Sequence, residues 1–248
     1  MMPGKQPQLH TIKRAIIMAA GKGERMRPLT LTTPKPLICV NGVRMIDSVI
    51  STLHQNGIFE IYVVVGYKRE MFTELENEYP GLKLIENPEY DRCNNISSLY
   101  YARDHLSDCI ILDGDQLIRY SAVLTPEFAC SGYNAVWTDE ETDEWLLTVE
   151  DGVITHCSRN GGRGGWQLYS ISRWTAEDGA RLRRCLEIEF QEKKNTSIYW
   201  DDIPVFCHPE EFELGIREMN RGDVVEIDTL EELAAQDASY LPLLERKP

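Results

Sequence analysis

Four short apolar runs, RAIIMAA, EIYVVVG, LKLIE and CIILDGD, recur between Arg14 and Asp115, and the segments separating them carry helical spacing. Runs this short and this rich in β-branched residues are what strands buried on both faces require. Between them, Met45, Ile46, Val49, Ile50 and Leu53 share one helical face, then Met71, Phe72 and Leu75, then Ile96, Leu99, Tyr100 and Leu106. The β-α-β-α-β-α-β series predicts an open α/β sheet, mostly parallel, with helices on both faces.

The rhythm then changes. YNAVWTD, EWLLTVED, GVITHCS and GWQLYSIS read as shorter strands with turn signals such as Asp151-Gly152, which suits antiparallel pairing added to the parallel sheet. A charged helical pattern spans Thr175 to Lys193, and VVEIDTLEELAAQD reads as a strand entering a last helix. Without an internal repeat or linker, the expectation is one mixed α/β domain over residues 1–248.

In an open parallel sheet, ligands sit beyond the carboxyl ends of the strands. The residues there are Gly21-Lys22-Gly23, Gly66-Tyr67-Lys68, Asn87-Pro88 and Asp113-Gly114-Asp115. Gly21 and Gly23 allow backbone N–H groups to approach an anion, and Lys22, Arg25, Arg27 and Lys35 supply charge. The loop matches neither familiar phosphate template: Met26 stands where a dinucleotide fingerprint needs a small residue, and no Gly-Lys-Ser/Thr follows. A phosphate cradle and a plain surface turn both remain open on this evidence. Asp115 and Asp228 each end a strand-like run, and paired carboxylates beside phosphates suit Mg²⁺. Asp228 is equally placed to cap the helix that follows, and Asp113 reads as structural.

A second pattern sets Asp143 and Glu144 against Trp145, and Tyr199 and Trp200 against Asp201 and Asp202. Aromatic faces beside carboxylates hold ammonium groups, although such residues also serve as core and solvated surface. A formal charge of −14 argues against a nucleic-acid or anionic-membrane partner, which the field would repel. The seven cysteines form no C-x-x-C pair, the five histidines show no metal spacing, and no Gly-x-Ser-x-Gly elbow occurs. With no apolar window of membrane length and no secretory leader pattern, the expected setting is the cytoplasm.

The run IIMAAGKGERMRPLTLTTPKPL resembles the signature loop of nucleotidyltransferases that join a nucleoside triphosphate to a phosphorylated small molecule. GYKREMF, NPEYDRCNNISSLYYARDHL, ILDGDQ, TDEWLLTVEDG, IYWDD and EIDTLEEL, in that order, are similar to the bacterial CTP:phosphocholine cytidylyltransferases. The resemblance implies a Rossmann-like fold of the nucleotide-diphospho-sugar transferase type, with residues 13–120 binding nucleotide and 121–248 binding the acceptor and supplying the last metal ligand. It implies that Ala19, Ala20, Gly21, Lys22, Gly23, Glu24 and Arg25 meet CTP, with Arg25 and Lys35 on the triphosphate. Tyr67, Glu70, Asn94, Asn95 and Ser97 would frame cytosine and ribose, and Asp115 and Asp228 would hold catalytic Mg²⁺. Asp143, Glu144, Trp145, Tyr199, Trp200 and Asp201 would face the amine. Relatives acting on sugars carry a lysine for the acceptor phosphate; SRNGGRGGW offers Arg163 or Arg159 instead. The implied reaction transfers CMP from CTP to a phosphorylated amine, phosphocholine first and 2-aminoethylphosphonate its main rival, with sugar 1-phosphates and an inactive nucleotide sensor behind.

Overall fold

In the computed structural model, which describes residues 9–244, the first run forms the central strand β1 (Arg14–Ala19) of a nine-stranded mixed sheet. It pairs in parallel with β2 (Glu60–Val65) on one edge, and β2 with β3 (Leu82–Glu86). On its other edge β1 pairs in parallel with β4 (Cys109–Asp113). This order reverses direction at β1, so the gap between the ends of β1 and β4 is the topological switch point where such sheets bind ligands.

The strands are buried on both faces because both faces are covered. Ala15, Ile17 and Ala19 point into one core with Ile46, Val49, Ile50 and Leu53 of α1 (Met45–Gln55). Ile16 and Met18 point into the other, with Ile96 and Leu99 of α2 (Ile96–Ala102) and Leu182 and Leu186 of α3 (Ala176–Glu187). One expected face differs: Phe72 and Leu75 are buried but Met71 is exposed. A three-residue-per-turn segment, Arg69–Phe72, precedes the short helix Glu74–Glu78, so a 3.6-residue period does not run through both.

The second half contains the longest strands rather than shorter ones. These are β5 (Gly132–Thr142) and β8 (Gly162–Trp174), with β6 (Leu146–Glu150), β7 (Val153–Ser158) and β9 (Gly215–Glu218). The pairings β5–β9, β9–β7, β7–β6, β6–β8 and β8–β5 close on themselves, forming a small cylinder. The far end of β8 continues antiparallel along β4, which fastens the cylinder to the parallel sheet next to the switch point. A separate ribbon pairs Gln116–Ile118 with Val224–Glu226 and brings the start of the helix Leu230–Gln236 to the end of β4. Among the described residues no helix is long and apolar enough to cross a membrane.

Candidate active site

A cavity of about 510 Å³ opens at the switch point. From the first loop it is lined by Ala19, Ala20, Gly21, Gly23, Arg25 and Lys35; from the strand ends and ribbon by Asp113, Asp115, Glu226 and Asp228. Asn95, Glu144, Trp145, Tyr199 and Asp201 line the remainder.

The first loop is no plain surface turn. Gly23 adopts φ +60, and a Cβ there would press on Thr30 at 3.0 Å and Lys35 at 3.1 Å, so both conformation and space favour glycine. The Thr30 hydroxyl donates to the Gly23 carbonyl at 2.9 Å, and the Tyr67 backbone N–H donates to the Ala20 carbonyl at 3.1 Å. Met26, the residue that breaks the dinucleotide template, is fully buried against Ile38, Met45, Ile227 and Leu233. It anchors the loop to the core.

At one end of the cavity the Lys35 ammonium lies 2.6 Å from both Asp115 Oδ2 and Asp228 Oδ1, and Arg25 reaches Asp228 at 2.9 Å. Burial would lower the Lys35 pKa, but Asp115 and Asp228 outweigh it and raise it. Burial would raise that of Asp228, but Lys35 and then Arg25 hold it below the ordinary carboxylate value. Asp228 is free for this role because it does not cap the helix. Thr229 does: its hydroxyl accepts from Glu232 N, while the Glu232 carboxylate accepts from the N–H groups of Thr229 and Asp228. The two aspartates converge on a single cationic nitrogen and offer hard oxygen donors, which fits a divalent cation that takes one or two protein carboxylates. Among the described residues no three His, Cys, Asp or Glu side chains gather as a metal cluster.

Two acids join the site that sequence reading did not place there. Glu226 is pushed up to about 7 by burial, against a hydrogen bond from Gln116 Nε2, with Asp115 raising it further. Asp113 is held well above the usual range by burial and then by Asp115, Glu226 and Asp201. A signal existed: Asp113 and Asp115, and Glu226 and Asp228, stand two apart at strand ends, a spacing that shares a face.

Elsewhere on the cavity wall, Trp145 meets Tyr199 edge-on at 6.2 Å between ring centroids. Asp201 lies beside them with Oδ1 buried and without a hydrogen-bond partner, and burial pushes its pKa up to about 7. The neighbouring Tyr133 hydroxyl lowers that value somewhat but falls short of a well-formed hydrogen bond, and Asp202 adds to the rise. Glu144 is also raised, by burial and then by Asp143 and Asp228.

Several expected contacts are placed elsewhere. Trp200 is buried in the core, stacked on Tyr133 at 6.2 Å and edge-on to Trp174 at 6.1 Å, so it does not line the cavity. Ser97 is fully buried and accepts from Asn87 Nδ2 at 2.9 Å; Ser98 lines the cavity instead. Asn94 is spent holding the 196–197 backbone, donating from its backbone N–H to Thr196 O and from Nδ2 to Ser197 O. Asn95 lines the cavity while its Oδ1 accepts from Trp200 N. Tyr67 and Glu70 line a separate, open hollow with Gly66, Lys68 and Tyr90. Lys22, Glu24 and Asp143 are not among the lining residues, and Glu24 pairs with Arg27. Arg163 is exposed and donates to the Asp139 carbonyl, away from the cavity.

The sequence model of the nucleotidyl transferase family matches residues 14–129. A 2-aminoethylphosphonate cytidylyltransferase from Lancefieldella rimae is 40% identical over 93% of this chain and 94% of its own length. A choline-phosphate cytidylyltransferase from Streptococcus pneumoniae is 29% identical over 88% of this chain and 94% of its own. The solved CTP:phosphocholine cytidylyltransferase of Streptococcus pneumoniae superposes with a TM-score of 0.83 at 28% identity, over 92% of this chain and 99% of that one.

Proposed function

The chain belongs to the nucleotidyl transferase family and is a cytidylyltransferase within it, and from that premise we propose that it transfers CMP from CTP to 2-aminoethylphosphonate, releasing pyrophosphate. This reverses the order of the two amines expected from motifs alone. The observation that carries the choice is the Asp201 carboxyl on the cavity wall, which is raised to about 7 by burial and has no ion-pair partner among the described residues. A buried carboxyl is costly to ionise without a cation, and a primary ammonium supplies both charge and N–H donors to it, whereas a quaternary ammonium has no N–H to give. The aromatic side supports the same choice: with Trp200 turned into the core, two edge-on rings remain, which is a wall and not a cage. The similarity to the 2-aminoethylphosphonate enzyme points the same way.

The proposed reaction needs no general base. A phosphoryl oxygen is largely ionised near neutral pH, and among the described residues no histidine lines the cavity. The phosphonate oxygen attacks the α-phosphorus of CTP in line, the bond to the bridging oxygen breaks, and pyrophosphate leaves with that electron pair. Lys35 and Arg25 neutralise charge on the phosphates, Gly21 and Gly23 let the backbone approach them, and Trp145, Tyr199 and Asp201 hold the amine end so that the oxygen is aimed. A Mg²⁺ ion held by Asp115 and Asp228 would supply further charge neutralisation on the α-phosphate.

The test is pyrophosphate release with CTP and Mg²⁺ against 2-aminoethylphosphonate, phosphocholine, phosphoethanolamine and glucose 1-phosphate in parallel. The phosphonate is expected to give the highest kcat/KM. A higher value for phosphocholine would overturn the choice of amine, and one for glucose 1-phosphate would overturn the reading of the pocket.

A further inference from the structure

Arg159 does not line the cavity, yet it contacts Trp145 of the amine wall and, through Asp202, the turn that carries Tyr199 and Asp201. The register that pairs Ser158 of β7 with Leu146 of β6 sets Arg159 opposite Trp145. Its guanidinium lies over the Phe206 ring at 4.2 Å and the Trp145 ring at 5.4 Å, and Phe206 in turn meets Trp145 edge-on at 5.3 Å. Its Nη2 is 2.5 Å from Asp202 Oδ1, a carboxylate whose side chain is 0% exposed. The other oxygen of Asp202 accepts from the Tyr199 backbone N–H at 2.9 Å. One planar cation therefore links Trp145 on the β6 side to the turn that carries Tyr199 and Asp201.

We propose that Arg159 is a positioning residue for the acceptor, fixing the distance between Trp145 and the 199–202 turn and so setting specificity at the amine end. This rests on the amine-binding reading of the cavity, though not on which amine is preferred. Its guanidinium suits the task because it stacks on aromatic rings while its fork binds a carboxylate; a lysine ammonium does the second only as a point charge. Losing it leaves a buried Asp202 carboxylate without its cation, and the turn hydrogen-bonded to that carboxylate loses its brace. Lys35, Arg25, Asp115 and Asp228 make no contact with Arg159, so the triphosphate end has no reason to respond.

The experiment measures KM for CTP, KM for each amine substrate and kcat in Arg159→Ala, Arg159→Lys and the double variant Arg159→Ala/Asp202→Asn. Arg159→Ala is expected to raise the amine KM on the order of tenfold to a hundredfold, as breaking a buried ion pair and releasing the turn it holds would, with the CTP KM within a factor of about two. Arg159→Lys recovers part of the loss, and the double variant recovers part because no buried charge is stranded. An unchanged amine KM, or CTP and amine KM values rising together as general loss of structure demands, would overturn the assignment. If the single variant fails to fold, the double variant against Asp202→Asn alone gives the same split. Should phosphocholine prove the better substrate of the unaltered enzyme, the choice of amine falls while the split between CTP and amine still judges Arg159.

Discussion

Replacing Asp201 by asparagine should make the ligand-free protein more stable and the enzyme worse. The Asp201 carboxyl is buried and pushed from 3.8 up to about 7. Because its pKa is raised on folding, the folded state holds a proton that the unfolded state has already lost between those values, so stability falls as pH rises through that window. The gap is about three pH units at about 1.4 kcal/mol each, a cost of roughly 4 kcal/mol, complete above pH 7 and absent below pH 4. An asparagine carries no charge to desolvate. In urea melts, Asp201→Asn is therefore expected to exceed the unaltered protein by up to about 4 kcal/mol at pH 8, with the gap closing steadily towards pH 4. Activity should move oppositely: the ammonium loses its charged acceptor, and the amine KM rises roughly tenfold to a hundredfold while the CTP KM holds. In the unaltered enzyme the amine KM should fall as pH rises from 6 to 8, since only the ionised carboxyl pairs with the ammonium. A stability difference that does not change with pH, or an asparagine variant that binds the amine as well as before, would refute the argument.

Asp115→Asn and Asp228→Asn should each lower kcat by on the order of a hundredfold or more in pyrophosphate release while circular dichroism stays unchanged; near-normal turnover would remove that residue from the catalytic end. Thr229→Ala should cost about 1 kcal/mol in urea unfolding through loss of the helix cap, and an equal loss from Asp228→Ala would move the cap to Asp228. Lys35→Gln should raise the CTP KM and leave the amine KM unaltered, measured with the other substrate saturating; an unchanged CTP KM would take Lys35 off the triphosphate.

The parallel half was legible because its signals are local. Each strand is buried on both faces and reads as an unbroken apolar run, and the residue after it must lie at the sheet's carboxyl edge whatever the rest of the chain does. The sequence alone therefore places Gly21, Gly23 and Asp115 at the carboxyl edge where the cavity lies. Asp228 was half legible, since both a helix cap and a site ligand were open, and only the reciprocal bonds of Thr229 and Glu232 decide between them. Trp200 was not legible. Tyr199, Trp200 and Asp201 are consecutive with no helical or strand period, so which of them faces the cavity depends on Tyr133 and Trp174, some 67 and 26 residues away in the chain, packing against Trp200. Arg159 and Arg163 were indistinguishable in a glycine-rich turn, and what separates them is a carboxylate, Asp202, brought in by tertiary contact.

The same chemical group stands in two different surroundings within one cavity. Asp228 stands against Lys35 and Arg25, which hold it ionised, so it meets a metal or a phosphate-bound cation already charged. Asp201 has an aromatic wall and no cation of its own, so its charge is unfavourable until a substrate brings one. Six carboxyl side chains and two cations line this space, an arrangement that repels bare phosphates everywhere except beside Lys35 and Arg25. Under the proposed reaction, an acceptor that is a cation at one end and an anion at the other is expected to lie with its ammonium at Asp201 and its phosphonate towards Lys35. On that reading, carboxyl side chains that are unfavourable neighbours for a phosphate would serve to orient a bipolar substrate for attack.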